Sequence, residues 1–192
     1  MENKTIGFAI CGSFCTHSRA LAALETLTAQ YTHIIPIVSE IVAATDTRFG
    51  TAQALRDRMT QLCGQPPLTT VKDTEPIGPK GLLDLLVIAP CTGNTLSKMA
   101  AGITDSAVTM AAKAQLRNGR PVVVCVASND GLSASAPALG QLLMRKNVYF
   151  VPFGQDDAHN KPTSLIADFT QLPATVEAAF FGRQVQPLLL RA

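Results

Sequence analysis

The chain has 192 residues, of which 47% are hydrophobic and 16% are charged, a balance that supports a folded core and excludes a disordered chain. Sixteen basic and 14 acidic residues leave a net charge of +2 without a block of Lys and Arg, which argues against nucleic acid as a partner. No apolar run has the length of a membrane-spanning helix. The length suits a single domain over residues 1–192.

Cysteine and histidine usage indicates a reducing environment and no metal site. The five cysteines, at positions 11, 15, 63, 91 and 125, are an odd number without a Cys-x-x-Cys pair, and the three histidines are scattered. Residues 1–10 lack the basic start and the small-residue cleavage site of a signal peptide. We therefore expect a cytoplasmic protein with free thiols and no bound metal.

Apolar runs of strand length alternate with amphipathic stretches along the chain. The pattern predicts strands over 5–11, 33–38, 83–89, 121–127 and 148–152. It predicts helices over 18–30, 51–63, 93–101, 105–118, 135–146 and 170–182. Loops are predicted over 64–80, with one short strand, over 128–133, which is polar, and over 154–163. The strands are continuous apolar runs, which is typical of a parallel sheet buried on both faces. We therefore predict a doubly wound, three-layer α/β fold, in which ligands bind beyond the carboxyl ends of the strands.

The loops after the first two strands carry hydroxyl groups that suit a phosphate. Gly12 permits a tight turn, and Ser13 and Thr16 lie before the free amides of a predicted helix N-terminus. Ser39 ends the second strand, and Arg48 follows in a loop where it either meets an anion or is exposed to solvent. The pattern is neither GxGxxG nor a P-loop, so it does not indicate a dinucleotide. A capped turn without a ligand is the alternative.

Small polar residues are densest after the most apolar strand. Thr92 and Asn94 lie at the start of one predicted helix, and Thr104 and Asp105 lie at the start of the next. This density favours a ligand site over the alternative of two well-capped helices. The loop 128–133 follows the neighbouring strand and is predicted to face the same crevice, although a simple Asn-Asp-Gly turn is the alternative there.

These motifs resemble a known family. Residues 12–13, 89–95 and 102–105 resemble the flavin-binding cysteine decarboxylases, with Thr92-Gly93 in place of the usual Ser-Ala. A closer resemblance, to the family of dipicolinate synthase B subunits from spore-forming bacteria, is carried by residues 47–50, 78–80, 92–94, 104–106, 111–114, 129–130 and 152–157.

The resemblance implies a Rossmann-like, flavodoxin-type fold that binds FMN. It implies a partner, the dipicolinate synthase A subunit, which carries NAD(P), and a joint oxidation of a dihydrodipicolinate precursor to dipicolinate in the mother cell during sporulation. It further implies a homo-oligomer, a trimer or a multiple of one. Ser13 and Ser39 would lie near the phosphate, and Asn94 and loop 128–130 near the isoalloxazine and the substrate. The implied cofactor contacts are Gly12, Ser13, Thr16, Ser39, Thr92, Asn94, Thr104, Asp105, Ser128 and Asn129.

Two departures argue against a decarboxylase. Residues 50–90 contain no histidine, whereas the decarboxylases carry their catalytic histidine in this region, and the loop at 127–130 lacks the family's methionine. An FMN-dependent decarboxylase is therefore disfavoured. The residues do not distinguish a catalytic subunit of an oxidising synthase from an FMN-binding subunit that supports its partner without chemistry.

A substrate with two carboxylates needs cations or several hydrogen-bond donors at opposite ends of its pocket. Lys80 and Lys98 are near the predicted ligand-facing loops, and Lys98 lies one helical turn beyond Asn94. Solvated helix surface is the alternative for both lysines. Asn94, whose amide can donate to a carboxylate, is the residue predicted to matter most for catalysis.

Overall fold

The architecture is built on one seven-stranded sheet, and the computed structural model describes residues 4–190. The strands are β1 (Thr5–Ile10), β2 (His33–Val38), β3 (Leu85–Cys91), β4 (Val122–Ser128), β5 (Val148–Phe150), β6 (Phe153–Asp157) and β7 (Lys161–Ala167). The helices are α1 (His17–Thr28), α2 (Glu40–Ala44), α3 (Ala52–Cys63), α4 (Val71–Thr74), α5 (Ile77–Lys80), α6 (Gly93–Ala101), α7 (Ala107–Arg117), α8 (Ala136–Leu143) and α9 (Leu172–Phe180).

The parallel part of the sheet confirms the predicted fold class. β1 pairs with β2 on one side and with β3 on the other, and β4 and β5 continue the parallel order. Every residue of β3 and β4 is buried, which requires helices on both faces of the sheet. One group of helices includes α1 and α9, which contact each other and β3; a second group surrounds α7, which lies against β2, β3 and β4.

The prediction of a loop over 154–163 is wrong, because these residues form most of an antiparallel hairpin. β6 pairs with β7, and β7 pairs antiparallel with the last two residues of β4. The carboxylate of Asp157 accepts hydrogen bonds from the backbone N–H groups of His159 and Asn160 and so closes the hairpin turn. Residues 154–163 are mostly exposed and polar, whereas the buried apolar residues of the hairpin, Phe153, Leu165 and Ala167, lie outside this segment. The segment therefore pairs as strands without an apolar pattern of its own.

The prediction over 64–80 is also wrong in part. The segment forms the short helices α4 and α5, and its only strand-like contact within residues 4–190 is a parallel bridge from Leu68 to Ile37. A capping box between Thr70 and Asp73 begins α4. Because its residues are polar, the start of this helix resembles a loop in sequence. Helices α8 and α9 are shorter than predicted.

Residues 4–190 contain five free thiols and no cluster of side chains that could hold a metal ion. None of the helices in this range combines the length and the apolar character needed to cross a bilayer.

Candidate functional site

A cleft of ≈ 620 Å³ opens at the carboxyl ends of β1, β3 and β4, and the hairpin β6–β7 forms one wall. Its size is within the range of small-molecule and cofactor sites. The structure brings to this cleft seven of the residues predicted to bind a ligand: Gly12, Ser13, Thr16, Thr92, Asn94, Ser128 and Asn129.

The first loop presents an unpaired hydroxyl to the cleft. The Thr16 hydroxyl donates to the carbonyl oxygen of Ser13 at 2.8 Å, and the Thr16 backbone N–H donates to the same oxygen at 3.0 Å. These bonds close a tight 3-10 turn before α1. The Ser13 side chain makes no capping bond in this turn and lines the cleft, so it is free to bind a ligand.

Ser39 lies beside this loop but does not line the cleft as defined above. Its backbone N–H donates to the carbonyl oxygen of Ile10 at 3.1 Å, which holds the end of β2 against the end of β1. Its side chain is buried, and Oγ has no hydrogen-bond partner among the described residues. A buried hydroxyl without a partner is costly, by about 1–3 kcal/mol, unless another group satisfies it.

The second loop begins α6. The Thr92 hydroxyl accepts from the backbone N–H of Thr95 at 3.2 Å and so caps the helix. Asn94, in the first turn, is exposed and lines the cleft, and no hydrogen bond occupies its amide. The Thr95 hydroxyl donates to Cys11 Sγ at 3.3 Å, while burial raises the pKa of the Cys11 thiol to about 11. That thiol therefore stays protonated and serves packing rather than nucleophilic chemistry.

The third loop, which was predicted to face the crevice, contains an anchored carboxylate, Asp130, that was not among the predicted cofactor contacts. Asp130 Oδ1 accepts hydrogen bonds from the hydroxyls of Ser128 and Ser135, the latter at 2.8 Å. These two bonds lower the pKa of Asp130 below its ordinary value of 3.8, so the group is ionised at neutral pH. Asn129, exposed beside it, lines the cleft with its side-chain amide unpaired.

Four more of the predicted residues lie outside the lining of this cleft. Lys98 forms an ion pair with Asp105 at 2.9 Å, which lowers the pKa of Asp105, and Thr104 lies next to that pair. Lys80 ends α5, before β3 begins, so the length of β3, about 20 Å, separates it from the cleft. The structure therefore does not bring Lys80 or Lys98 to the site for which they were predicted.

Two other cations line the cleft instead. Arg48 lies with its guanidinium carbon 4.8 Å from the centre of the Phe49 ring, and Lys161 forms an ion pair with Asp156 at 2.9 Å. The sequence left open whether Arg48 binds an anion or is exposed to solvent. Lys161 was not predicted, because the sequence of the hairpin on which it lies resembles a loop.

His17 does not line the cleft and faces a smaller cavity of ≈ 200 Å³ between α1 and α3. Its Nε2 lies 2.8 Å from the carbonyl oxygen of Cys11, which can only accept, so Nε2 carries the proton. Burial lowers the pKa of His17, and the hydrogen bond to Cys11 opposes this effect in part. His17 is therefore not positioned to take the place of the decarboxylase histidine.

Comparisons with known proteins show the family and the fold of the chain. The family model described as Flavoprotein matches residues 1–152. The chain is 42% identical over 190 residues to the dipicolinate synthase B subunit of Bacillus subtilis (strain 168), covering 99% of this chain and 95% of that protein. The crystal structure of the dipicolinate synthase B subunit from Bacillus halodurans is similar, with a TM-score of 0.90 and 43% identity over 98% of this chain and 97% of that one. The FMN-dependent cysteine decarboxylase SpaF shares the fold, with a TM-score of 0.66 and 21% identity over 93% of this chain and 98% of that one.

Proposed function

The chain belongs to the Flavoprotein family, and from this premise we propose that it is the FMN-binding B subunit of a dipicolinate synthase. Identity of 42% along 99% of the chain to a protein of that name supports the assignment. The proposal includes an A subunit that carries NAD(P), and a reaction in which the two chains oxidise a dihydrodipicolinate precursor to dipicolinate in the mother cell of a sporulating bacterium.

One observation carries the FMN part of the proposal: the buried Ser39 Oγ has no partner among residues 4–190. Ser39 is joined by its backbone to the end of β1, directly before the loop that carries Ser13. A phosphate at this place would accept hydrogen bonds from both hydroxyls and from the backbone N–H of Gly12. Thr16 would keep the loop closed around it.

The flavin ring would lie toward the other end of the cleft. From β2, beside the proposed phosphate site, to β4 the sheet advances by three strand spacings, a distance of about 14 Å. The loops after β3 and β4 would therefore contact the ring. The polar residues within reach include Asn94, Ser128, Asn129 and Asp130. When bound, FMN would supply the acceptor for the two electrons that aromatisation of a dihydropyridine ring releases.

The chain's own residues would bind and orient the substrate. The Asn94 amide is free to donate to a substrate carboxylate, and Arg48 and Lys161 are the cations that line the cleft. Lys161 would give up part of its ion pair with Asp156 to bind a second carboxylate. Charge-assisted hydrogen bonds of this kind are about twice as strong as neutral ones.

The second candidate function is an FMN-binding subunit that supports its partner without chemistry. The two are separated by measuring dipicolinate formation by both subunits with and without flavin on this chain. Unchanged activity without flavin would favour the supporting role. In either role we expect a homo-oligomer, a trimer or a multiple of one, and light scattering that gives the mass of a monomer at micromolar concentration would contradict it.

The FMN proposal is tested by the absorption spectrum of the purified chain and by titration with FMN. We expect a flavin spectrum and saturable binding, with Ser39→Ala about tenfold weaker because one buried donor is lost. Ser97→Ala, on α6 and outside the lining of the cleft, is the matched control and should bind like the wild type. No flavin binding at micromolar concentration would refute the proposal.

A further inference from the structure

Gly93, at the start of α6, packs so closely against the Asp130 carboxylate and its two serine partners that no side chain would fit there. A Cβ atom built on Gly93 would overlap Ser135 Oγ and would lie 2.5 Å from Asp130 Oδ1 and 2.6 Å from Ser128 Oγ. Real Cβ atoms essentially never approach other atoms this closely. Position 93 therefore accepts only glycine as long as the three polar groups stay where they are.

This packing gives the physical reason for glycine at position 93. The space that an alanine methyl group would fill is occupied by the two hydroxyls and by the carboxylate that they bind. Glycine at 93 and the carboxylate at 130 are therefore parts of one arrangement. The sequence places them far apart, on the loops after β3 and β4, and only the fold brings them into contact.

The arrangement fixes one negative charge in the cleft. Asp130 Oδ1 accepts hydrogen bonds from both serine hydroxyls, whereas Oδ2 accepts none from residues 4–190. Ser128 and Ser135 are both buried, so the carboxylate is held on a rigid support. The other carboxylate that lines the cleft, Asp156, is exposed and neutralised by Lys161.

We infer that Asp130 holds a fixed negative charge beside the bound flavin and lowers the reduction potential of the flavin, and that Gly93 provides the space for this carboxylate. This inference rests on the proposed function. Two-electron reduction with uptake of one proton adds a negative charge to the ring system, and a nearby fixed anion opposes that addition. Because two hydroxyls anchor the carboxylate, it cannot turn away to relieve the repulsion.

The test is the midpoint potential of FMN bound to the purified chain, measured against a reference dye. Asp130→Asn keeps the shape of the side chain and removes its charge, so we expect a higher potential than in the wild type. Asp156→Asn changes the net charge of the same cleft equally and is the matched control, with a smaller shift expected. Equal potentials for Asp130→Asn and wild type, or equal shifts for both variants, would overturn the inference.

Two further variants test the support of the carboxylate. Ser135→Ala keeps the charge but removes one anchor, and we expect a shift in the same direction and smaller than that of Asp130→Asn. Gly93→Ala displaces the carboxylate, and we expect a potential close to that of Asp130→Asn in the fraction that folds. If Asp130→Asn does not fold, the inference is tested with Ser135→Ala alone. An unchanged midpoint potential of FMN bound to Ser135→Ala then refutes the inference. Absence of FMN binding in the wild type would instead refute the proposed function.

Discussion

Polar side chains differ in their hydrogen bonding between the amino edge of the parallel sheet, where the strands begin, and the carboxyl edge, where they end. At the amino edge, Asp84 accepts a hydrogen bond from the backbone N–H of Thr5 at 2.9 Å, and the Asn118 amide donates to the carbonyl oxygen of Gly78 at 2.8 Å. Arg120 donates to two backbone carbonyl oxygens of the loop before β3. These side chains bond to the backbone, and the exception among residues 4–190 near this edge is the buried amide of Gln115, close to the end of α7, which has no partner.

At the carboxyl edge, the side chains of Ser13, Asn94 and Asn129 have no hydrogen-bond partner among residues 4–190, and the buried hydroxyl of Ser39 has none either. Unpaired side chains gathered in one cleft contribute nothing to stability by hydrogen bonding, and they are available to a ligand. The comparison separates polar residues that stabilise the fold from polar residues that we propose bind a ligand. Substitutions at the two edges should therefore affect different measurements.

The largest effect is expected for Ser13→Asp at the carboxyl edge. A carboxylate beside the FMN phosphate adds repulsion of about 2 kcal/mol, which weakens FMN binding at least about thirtyfold. Ser13→Asn, of the same size without the charge, should bind FMN within a fewfold of wild type. Fluorescence titration of FMN measures both, and undiminished affinity of Ser13→Asp would place the phosphate elsewhere.

Asn94→Ala is expected to lower dipicolinate formation at least about tenfold in a preparation containing both subunits. A substrate carboxylate would lose a donor, at a cost of about 1–3 kcal/mol. The free energy of unfolding should not change, because the Asn94 amide has no partner among the described residues. Wild-type turnover would show that the substrate is handled elsewhere and would favour the supporting role.

Asn118→Ala is the matching substitution at the amino edge, and its effects should be reversed. Loss of the hydrogen bond to Gly78 should lower the free energy of unfolding by about 1 kcal/mol, with FMN binding and dipicolinate formation unchanged. Urea denaturation of this variant and of Asn94→Ala, side by side, is the measurement. Lower activity of the folded Asn118→Ala protein would contradict the distinction between the edges.

The smallest effect is a pH dependence of stability from His17, beside the first loop of the cleft. Burial lowers its pKa in the folded chain, so the unfolded chain binds the proton more readily. The contribution of His17 to the free energy of unfolding is therefore complete above its ordinary pKa of 6.5 and is lost as the pH falls below that value. Denaturation at about pH 7 and about pH 5.5 should show this loss in the wild type and a weaker one in His17→Gln.

The sequence alone determined the alternation of strands and helices and the parallel sheet. Continuous apolar runs such as those of β3 and β4 are stable only when both faces are covered, so their pattern predicts the layers. The same logic predicts that the loops after β1, β3 and β4 meet, because parallel strands bring their carboxyl ends to one edge. Ser13, Asn94 and Asn129 were found together for this reason.

Only the tertiary structure decided which charges enter the cleft. Lys80 is close in sequence to β3 but lies at its far end, whereas Lys161 is distant in sequence and reaches the cleft on the hairpin. The hairpin pairs with β4 through its main chain, and its buried apolar residues lie outside 154–163, so this segment carries no periodic apolar signal. The close approach of Gly93 to Asp130, where an added Cβ would lie 2.5 Å from Oδ1, depends on how two separate loops pack. Packing at that scale is not encoded in spacing along the chain.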